Sequence, residues 1–526
     1  MERSALKHSV NSTFRLNGYT LKNDAANYIV EALLQVGEQQ RQLWMDKILA
    51  TVQKQPLDTA IIGRDLVRDV LQNCIRETRG EVDFFMVFDA FSVPGFSYCV
   101  NKQKFLKDEL LGLPAGSVLP DSVAPKAEVF RNRYHLIHQR CLRNELFGGT
   151  DASGGGGGRR RFRLQPVELL LGSTSRLEDV LVLGMLTQLT EGKFFLEDPT
   201  GAVQLDLEHT KFPVGMFSEG CFVLCEGSYD DNIFTCSVMG FPPAEDAETF
   251  RNHFGNQNMF GGSNHICARA NTELQSVEKE LDGSMFVFLS DMLLNQPQVM
   301  DRLRRLLDGF KHSPPTAFVM MGNFTDAPRD ANSYRELRKH FTTLAEMITK
   351  VPELRESRFV FVPGPTDPGI APILPRPPLS AYISEEFRRR VPNSEFTTNP
   401  CRIQFCTQEM VIFREDVLSK LCRHGIYYPT ENCPDIPPHF VTTLVSQCHL
   451  APLPPHICPV YWQHDRALRL YPLPDVVVCA DKFDQYTITK LGCTVLNPGS
   501  FHKDFMFKVY LPSTRTCENS QVGDDS

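Results

Sequence analysis

Long apolar runs are missing from this chain. Nowhere does it approach the roughly 18 consecutive apolar residues that a helix needs to cross a bilayer. The opening stretch MERSALKHSVNSTFRLNGYTLKND also lacks the uninterrupted apolar core of a secretory signal. A soluble intracellular protein without membrane contact is the expectation. Zinc-ligand spacing is missing as well: the 16 cysteines include no C-x-x-C pair, so neither a zinc ribbon nor a dense disulfide frame is indicated. Reduced, mostly buried thiols are expected, among them Cys401 and Cys406, which flank a strand-like stretch. Net positive charge is absent too. With 55 Lys and Arg against 63 Asp and Glu, a net charge of -8 argues against coating nucleic acid by bulk electrostatics and leaves at most a local basic patch.

What is present is an ordinary globular balance. Hydrophobic residues make up 42% and charged residues 22% of 526 residues, enough for about two to four domains. Residues 14–75 read as helical. In LKNDAANYIVEALLQV, the residues Ala26, Ile29, Val30, Leu33 and Leu34 recur at three- and four-residue spacing, and Asp24 is placed to cap the start. RQLWMDKILATVQKQ and DTAIIGRDLVRDVLQNC follow on either side of Pro56, predicting a small helical bundle over 1–75. A connecting segment, 76–164, holds strand and turn at 88–105, a Pro-rich linker at 114–125, an amphipathic helix at 126–147 with arginines on its polar side, and the tract GGTDASGGGGGRRRFR. The cluster Arg159, Arg160, Arg161 and Arg163 reads as a solvated loop, with nucleic-acid contact or a nuclear-import signal as the sharper alternative.

From 177 the apolar period changes to two. DVLVLGMLTQLTEGKFFLEDPTGAVQLDL gives three strands turning at 190–193 and 198–201, and GCFVLCEGSYDDNIFTCSVMGFPP gives two more, predicting a small closed barrel within 165–284. FFLEDPTGAVQLDL resembles the second and third strands of OB-folds. Such barrels often stack single strands on aromatics. Here Phe194, Phe195 and Lys193 are offset by Glu197, Asp198, Asp206, Glu208, Asp230 and Asp231, so packing against protein is the favoured use.

Over 285–526 apolar strands alternate with helices, a βαβαβ series that predicts a covered sheet with any ligand beyond the carboxyl ends of its strands. Each strand ends in a short polar motif, and these motifs resemble those of calcineurin-like metallophosphoesterases. The D-x-H of that family is SDML here, keeping Asp291 and placing Leu293 for histidine. G-D-x-x-D is GNFTD, with Asn323 for the bridging carboxylate. G-N-H-[DE] is GPTD, where Pro365 replaces a ligand amide and Thr366 the histidine that would protonate a leaving group. A histidine survives as His449 in LVSQCHLAPLP. The final G-H-x-H is ADKF, with Asp481 and Phe483 for both imidazoles, ahead of LNPGSF, which resembles the Asn-Pro-Gly-Ser turn after that motif. Two divalent ions need a bridging carboxylate and imidazoles to offset their repulsion and make hydroxide. Asp291, His449 and Asp481, on separate strands, do not suffice. The expectation is a phosphoesterase-like α/β sandwich lacking its metal ligands, with no catalytic residue, metal or cofactor. Asp291, Asn323 and Asp367 would then serve turn backbone groups.

A helical N-terminus, an OB barrel and a phosphoesterase-like domain stripped of its ligands, in that order, resemble the B-subunits of eukaryotic replicative DNA polymerases. The wording LGMLTQLTEGKFFLEDPTGAVQLDL, FTTNPCRIQFCTQEMVIFRED and RFVFVPGPTDPG is similar to their epsilon branch. The resemblance spans nearly all of the chain apart from the glycine tract and the acidic tail. It implies a multidomain α+β fold whose N-terminal bundle is similar to the lid domain of AAA+ ATPases and whose barrel packs on the sandwich. It also implies a nuclear, non-catalytic accessory subunit that holds the zinc-binding C-terminal region of the catalytic subunit. Further implied partners are the small histone-fold subunits of the same complex and the replicative helicase through GINS, with only indirect DNA contact. A divergent metal-dependent nuclease or phosphodiesterase is the alternative, and single-strand binding by the barrel and the arginine cluster is a third reading.

Overall fold

The computed structural model describes residues 2–34, 41–53, 61–64, 66–68, 70–71, 83–107, 124–147, 162–262, 264–328, 330–369, 371–427 and 435–523. The chain divides into two compact units, Met1–Asp83 and Phe84–Ser526. Most of the expected linker and glycine tract, with Arg159, Arg160 and Arg161, lies outside the described residues.

In the first unit, helices Glu2–Leu16, Asn23–Leu34 and Arg41–Gln53 enclose an apolar core. The expected stripe faces inward at Ala26, Ile29, Val30 and Leu33, whereas Leu34 is on the rim. Asp24 does not cap this helix, which starts one residue earlier; its carboxylate sits in the first turn, where the helix dipole favours negative charge. The helical pattern is not legible before residue 14, because Val10 and Phe14, fully buried, are diluted by polar neighbours. Ile61–Ile62, read as helical, instead pairs in parallel with Thr20–Leu21. Two β-branched residues followed by Gly63 favour an extended backbone.

The second unit contains the barrel. Leu177–Thr190 is long enough to pair with Lys193–Asp198 near its end and with Phe222–Asp230 along its start, and Gly201–Asp206 and Ile233–Gly240 complete the circuit. Inward residues such as Val182, Leu196, Val203 and Phe234 fill it. Asp198 is a building element: its carboxylate accepts from Thr200 and Gly201 N–H in the turn and from Val167 N–H at the start of the helix Val167–Leu171. Of the two aromatics considered for stacking, Phe194 is half-buried against the barrel core, and Phe195 is half-buried outside that cluster. At the bulge by Gly227 an added Cβ would lie 2.1 Å from the Thr235 carbonyl oxygen. Gly227→Ala is therefore expected to cost about 1–3 kcal/mol in urea unfolding, because backbone must move to admit it.

Beside the barrel lies a two-sheet sandwich. One sheet runs Ser394–Phe396, Arg358–Val362, Ala317–Met321, Phe286–Ser290, Met506–Leu511, Thr516–Gln521, the first four strands parallel. The other runs Tyr486–Lys490, Cys493–Asn497, Val476–Ala480, Gln408–Arg414, Cys401–Phe405, Phe85–Asp89. Their facing sides share one apolar layer that includes Phe286, Phe288, Val319, Ile403, Ile412 and Val478, as well as Cys401 and Cys406. Helices Pro297–Gly309 and Ala331–Thr349 cover the first sheet, and Val417–His424 and Ile436–Gln447 cover the second. With both faces covered, strands such as FVFLS and AFVMM are apolar throughout.

The barrel packs on the sandwich as expected. The Gln447 side chain accepts from Phe222 N–H at 2.7 Å and donates to Phe222 O at 2.8 Å, acting as a backbone partner for a barrel strand. Phe85–Asp89, from the connecting segment, is the edge strand of the second sheet. The helix Ala124–Arg143 corrects the expectation that its arginines are on a polar face. Arg140 is 2% exposed, Arg133 pairs with Asp465, and Arg143 pairs with Glu245 at 2.6 Å. Buried acids on facing segments draw Arg133 and Arg143 inward, Arg140 donates to Cys448 Sγ and the Ser446 carbonyl, and Arg131 alone of the four keeps the expected exposed position, beside Glu128.

Candidate functional site at the strand ends

The strands of the sandwich stop at polar residues, and the stops converge. Asp291 follows Phe286–Ser290, Asn323 comes just after Ala317–Met321, Asp367 lies in the loop after Arg358–Val362, Arg414 ends Gln408–Arg414 and Asp481 follows Val476–Ala480. All five are at most 4% exposed, so each needs a partner.

Asn323 supplies three contacts. Its backbone N–H and side-chain Nδ2 donate to Asp291 Oδ1 at 3.1 and 3.0 Å, and its Oδ1 accepts from Thr366 N–H at 2.9 Å. An aspartate there would set a second carboxylate against Asp291; the amide donates instead. Asp367 ties the same loops, accepting from Phe324 N–H and Gly364 N–H, each at 2.7 Å. The approach is so close that a Cβ on Gly322 would lie 1.9 Å from Asp367 Oδ2, and one on Gly364 would lie 2.5 Å from Asn323 Oδ1. Asp367→Asn is isosteric, yet it must turn an amide N–H toward one of two N–H donors. It is expected to lose about 1–3 kcal/mol of stability, read by chemical denaturation.

Arg414 crosses this cluster. Its Nη2 donates to Asp291 Oδ1 at 2.7 Å, Nε to Gly322 O at 2.7 Å, and Nη1 to Asp416 Oδ1 at 2.7 Å and Ala480 O at 3.2 Å. Ser500, in the expected Asn-Pro-Gly-Ser turn, donates to Asp291 Oδ2 at 2.7 Å. Burial pushes the Asp291 carboxyl up, but Arg414, Ser500 and Asn323 outweigh it and hold the group below the usual carboxylate range. Burial also opposes the Arg414 charge, yet Asp291 and Asp416 keep the guanidinium more firmly protonated than usual. Burial pushes the Asp367 carboxyl up to about 6. Burial and the neighbouring Asp416 do the same to Asp481, also to about 6.

The other expected positions divide between the frame, solvent and a separate cluster. Asp481 accepts from Leu418 N–H at 3.0 Å and from Ser419 Oγ at 3.2 Å, serving the first turn of the helix Val417–His424, and from Phe483 N–H at 3.1 Å. The Pro365 carbonyl accepts from Arg376 at 2.9 Å. Leu293 is buried, Thr366 is exposed, and partly buried Phe483 packs on the core beneath the second sheet. His449 belongs to a different cluster. Its Nδ1 accepts from Ala451 N–H at 3.1 Å, and its Nε2 lies 3.3 Å from Asp465 Oδ1 and 2.8 Å from Arg133 Nη2. Arg163 is exposed beside the barrel's first residues.

These contacts decide whether a metal pair fits. The Asp291 carboxylate receives four hydrogen bonds, and both oxygens of Asp367 and of Asp481 face donors. The lone pairs that a metal would use are taken, and a guanidinium lies between Asp291 and Asp416. Among the described residues no three His, Cys, Asp or Glu side chains are grouped to ligate an ion. The residues do not fit a two-metal centre. Sequence reasoning finds Asp291, Asn323 and Asp481 but misses Arg414. The signal is present in MVIFRED, where an apolar strand ends in a charged residue, as FVFLSD does at Asp291.

Comparison with known proteins agrees across the chain. A family profile for the B-subunit of DNA polymerases alpha and epsilon matches residues 286–488, one described as DNA polymerase epsilon subunit 2-like, OB-fold domain, matches 123–243, and one described as DNA polymerases epsilon N terminal matches 2–74. DNA polymerase epsilon subunit 2 of Bos taurus is 45% identical, with 99% of each chain covered, and that of Homo sapiens is likewise 45% identical over 99% of each. DNA polymerase epsilon subunit 2 of Drosophila melanogaster is 38% identical, covering 99% of this chain and 98% of its own length. On identity, coverage and the order of its matched segments, this chain belongs to the DNA polymerase epsilon subunit 2 family.

Proposed function

We propose that this accessory subunit is non-catalytic and works as a nuclear scaffold. The sandwich and barrel would hold the zinc-binding C-terminal region of the epsilon catalytic subunit, beside the small histone-fold subunits. The N-terminal bundle would link the assembly to the replicative helicase through GINS, with DNA contact indirect. The observation that supports the reading most is the Arg414–Asp291 contact at 2.7 Å, in which the carboxylate at a strand end is already partnered by a buried guanidinium. The barrel supports it: its joint to the sandwich is made by buried side chains such as Gln447, and one of its two candidate stacking residues, Phe194, packs on the core. Co-expression with the C-terminal region of the catalytic subunit tests the proposal. A stable complex, with no manganese-dependent nuclease activity in the purified full chain, is the expected result. Failure to associate, or nuclease activity that disappears in Asp291→Ala or His449→Ala, would overturn it.

A further inference from the structure

The donors and acceptors around Arg414 form a ligand set for a cation. Its fully buried guanidinium is met by two carboxylates, Asp291 and Asp416, and two backbone carbonyls, Gly322 O and Ala480 O. Asp291 and Gly322 stand at strand ends of the first sheet, and Asp416 and Ala480 at strand ends of the second. One side chain thus closes the seam between the sheets where their polar ends meet. Carboxylate and carbonyl oxygens without an imidazole or thiolate are the hard donors that magnesium, calcium or manganese take. A lone buried arginine beside one acid would be an ordinary ion pair. One ringed by four oxygens from both sheets, at the place where the strand-end motifs resemble those of a metal-binding family, replaces an ion.

We propose that the Arg414 guanidinium is the resident cation of this frame, standing where divalent ions would otherwise neutralise the strand ends, and that removing it uncovers a latent oxygen-lined site for a hard divalent cation. The inference is independent of the partners proposed above. The other charges near the seam are Lys482, whose Nζ lies 3.9 Å from Asp416 Oδ2 on the exposed side, the buried carboxylates Asp367 and Asp481, and buried Glu415 with its partners Arg376 at 3.1 Å and Lys420 at 3.2 Å. Lys482 is exposed and Arg376 and Lys420 are held by Glu415, so none of them supplies the missing interior charge.

The test uses the full chain and its thermal midpoint in EDTA and in millimolar magnesium, calcium or manganese chloride. The wild type is expected to melt alike in all of them. Arg414→Ala is expected to melt lower in EDTA, to regain more than half of the loss in at least one divalent salt, and to lose that rescue when combined with Asp291→Asn. Millimolar methylguanidinium, but not tetramethylammonium, should also raise its midpoint. A folded Arg414→Ala indifferent to every cation, or a wild type destabilised by EDTA, would overturn the proposal. If Arg414→Ala does not accumulate, Arg414→Lys carries the test. An ammonium keeps a cation in the seam, so this variant should fold and ignore EDTA, and its failure to fold would count against the proposal.

Discussion

Arg414→Met is expected to lower the unfolding free energy of the chain by about 3–5 kcal/mol, the cost of leaving a buried carboxylate without its partner. Methionine nearly fills the space of the lost side chain, so the effect is electrostatic rather than a cavity. Arg414 is 0% and Asp291 2% exposed along their side chains, so solvent cannot screen the orphaned charge. Asp291→Asn placed on the Arg414→Met background should therefore recover a large part of the loss, because a neutral amide tolerates burial better. Urea midpoints at constant slope for the wild type, both single variants and the double variant measure this coupling. If the two substitutions simply add, Arg414 is not held by Asp291 and the account of the strand ends fails.

The second large effect concerns pH. Burial, then Arg133, lower the His449 pKa from 6.5 to about 4. Between those values the unfolded chain binds the proton and the folded chain does not, so stability falls as pH drops from about 6.5 to about 4. The shift is worth about 3 kcal/mol once the pH is below both values. His449→Gln keeps an acceptor for the Ala451 N–H without the titration, and should remove this part of the acid sensitivity. Asp367 and Asp481, each raised from 3.8 to about 6, act in the opposite direction, adding stability as pH falls through the same window. The informative quantity is therefore the difference between wild type and His449→Gln at pH 7 and at pH 4. An unchanged difference would mean that His449 is solvated rather than locked between Arg133 and Asp465.

Periodicity reveals most of the elements because burial acts on local pattern. FVFLS, AFVMM and RFVFV are strands whose apolar runs need cover on both faces, and the turn residues of FFLEDPTGAVQ set the barrel's second hairpin. The strand-end rule likewise points to the carboxyl ends of these strands, and the resemblance to phosphoesterase motifs singles out Asp291, Asn323 and Asp481 there. What the pattern cannot show is pairing across long separations. Arg133 and Arg143 look like solvated residues of an amphipathic helix until Asp465 and Glu245, 332 and 102 residues away, are folded against them. The strand and turn read at 88–105 give no sign that the strand Phe85–Asp89 closes the edge of a sheet beside Cys401–Phe405. Arg414 is hidden for the same reason: its meaning depends on Asp291, 123 residues earlier. His449 sits in a motif-like stretch yet turns to a different cluster, a choice made by the helix that carries Arg133.

The most direct test of the central claim, that an internal ion pair holds the strand ends in place of metal, is equilibrium dialysis of the full-length wild-type chain against manganese, followed by elemental analysis. The account predicts no more bound metal than in a control protein without a site. One or two tightly bound ions per chain, displaced when Asp291 is changed to alanine, would contradict it.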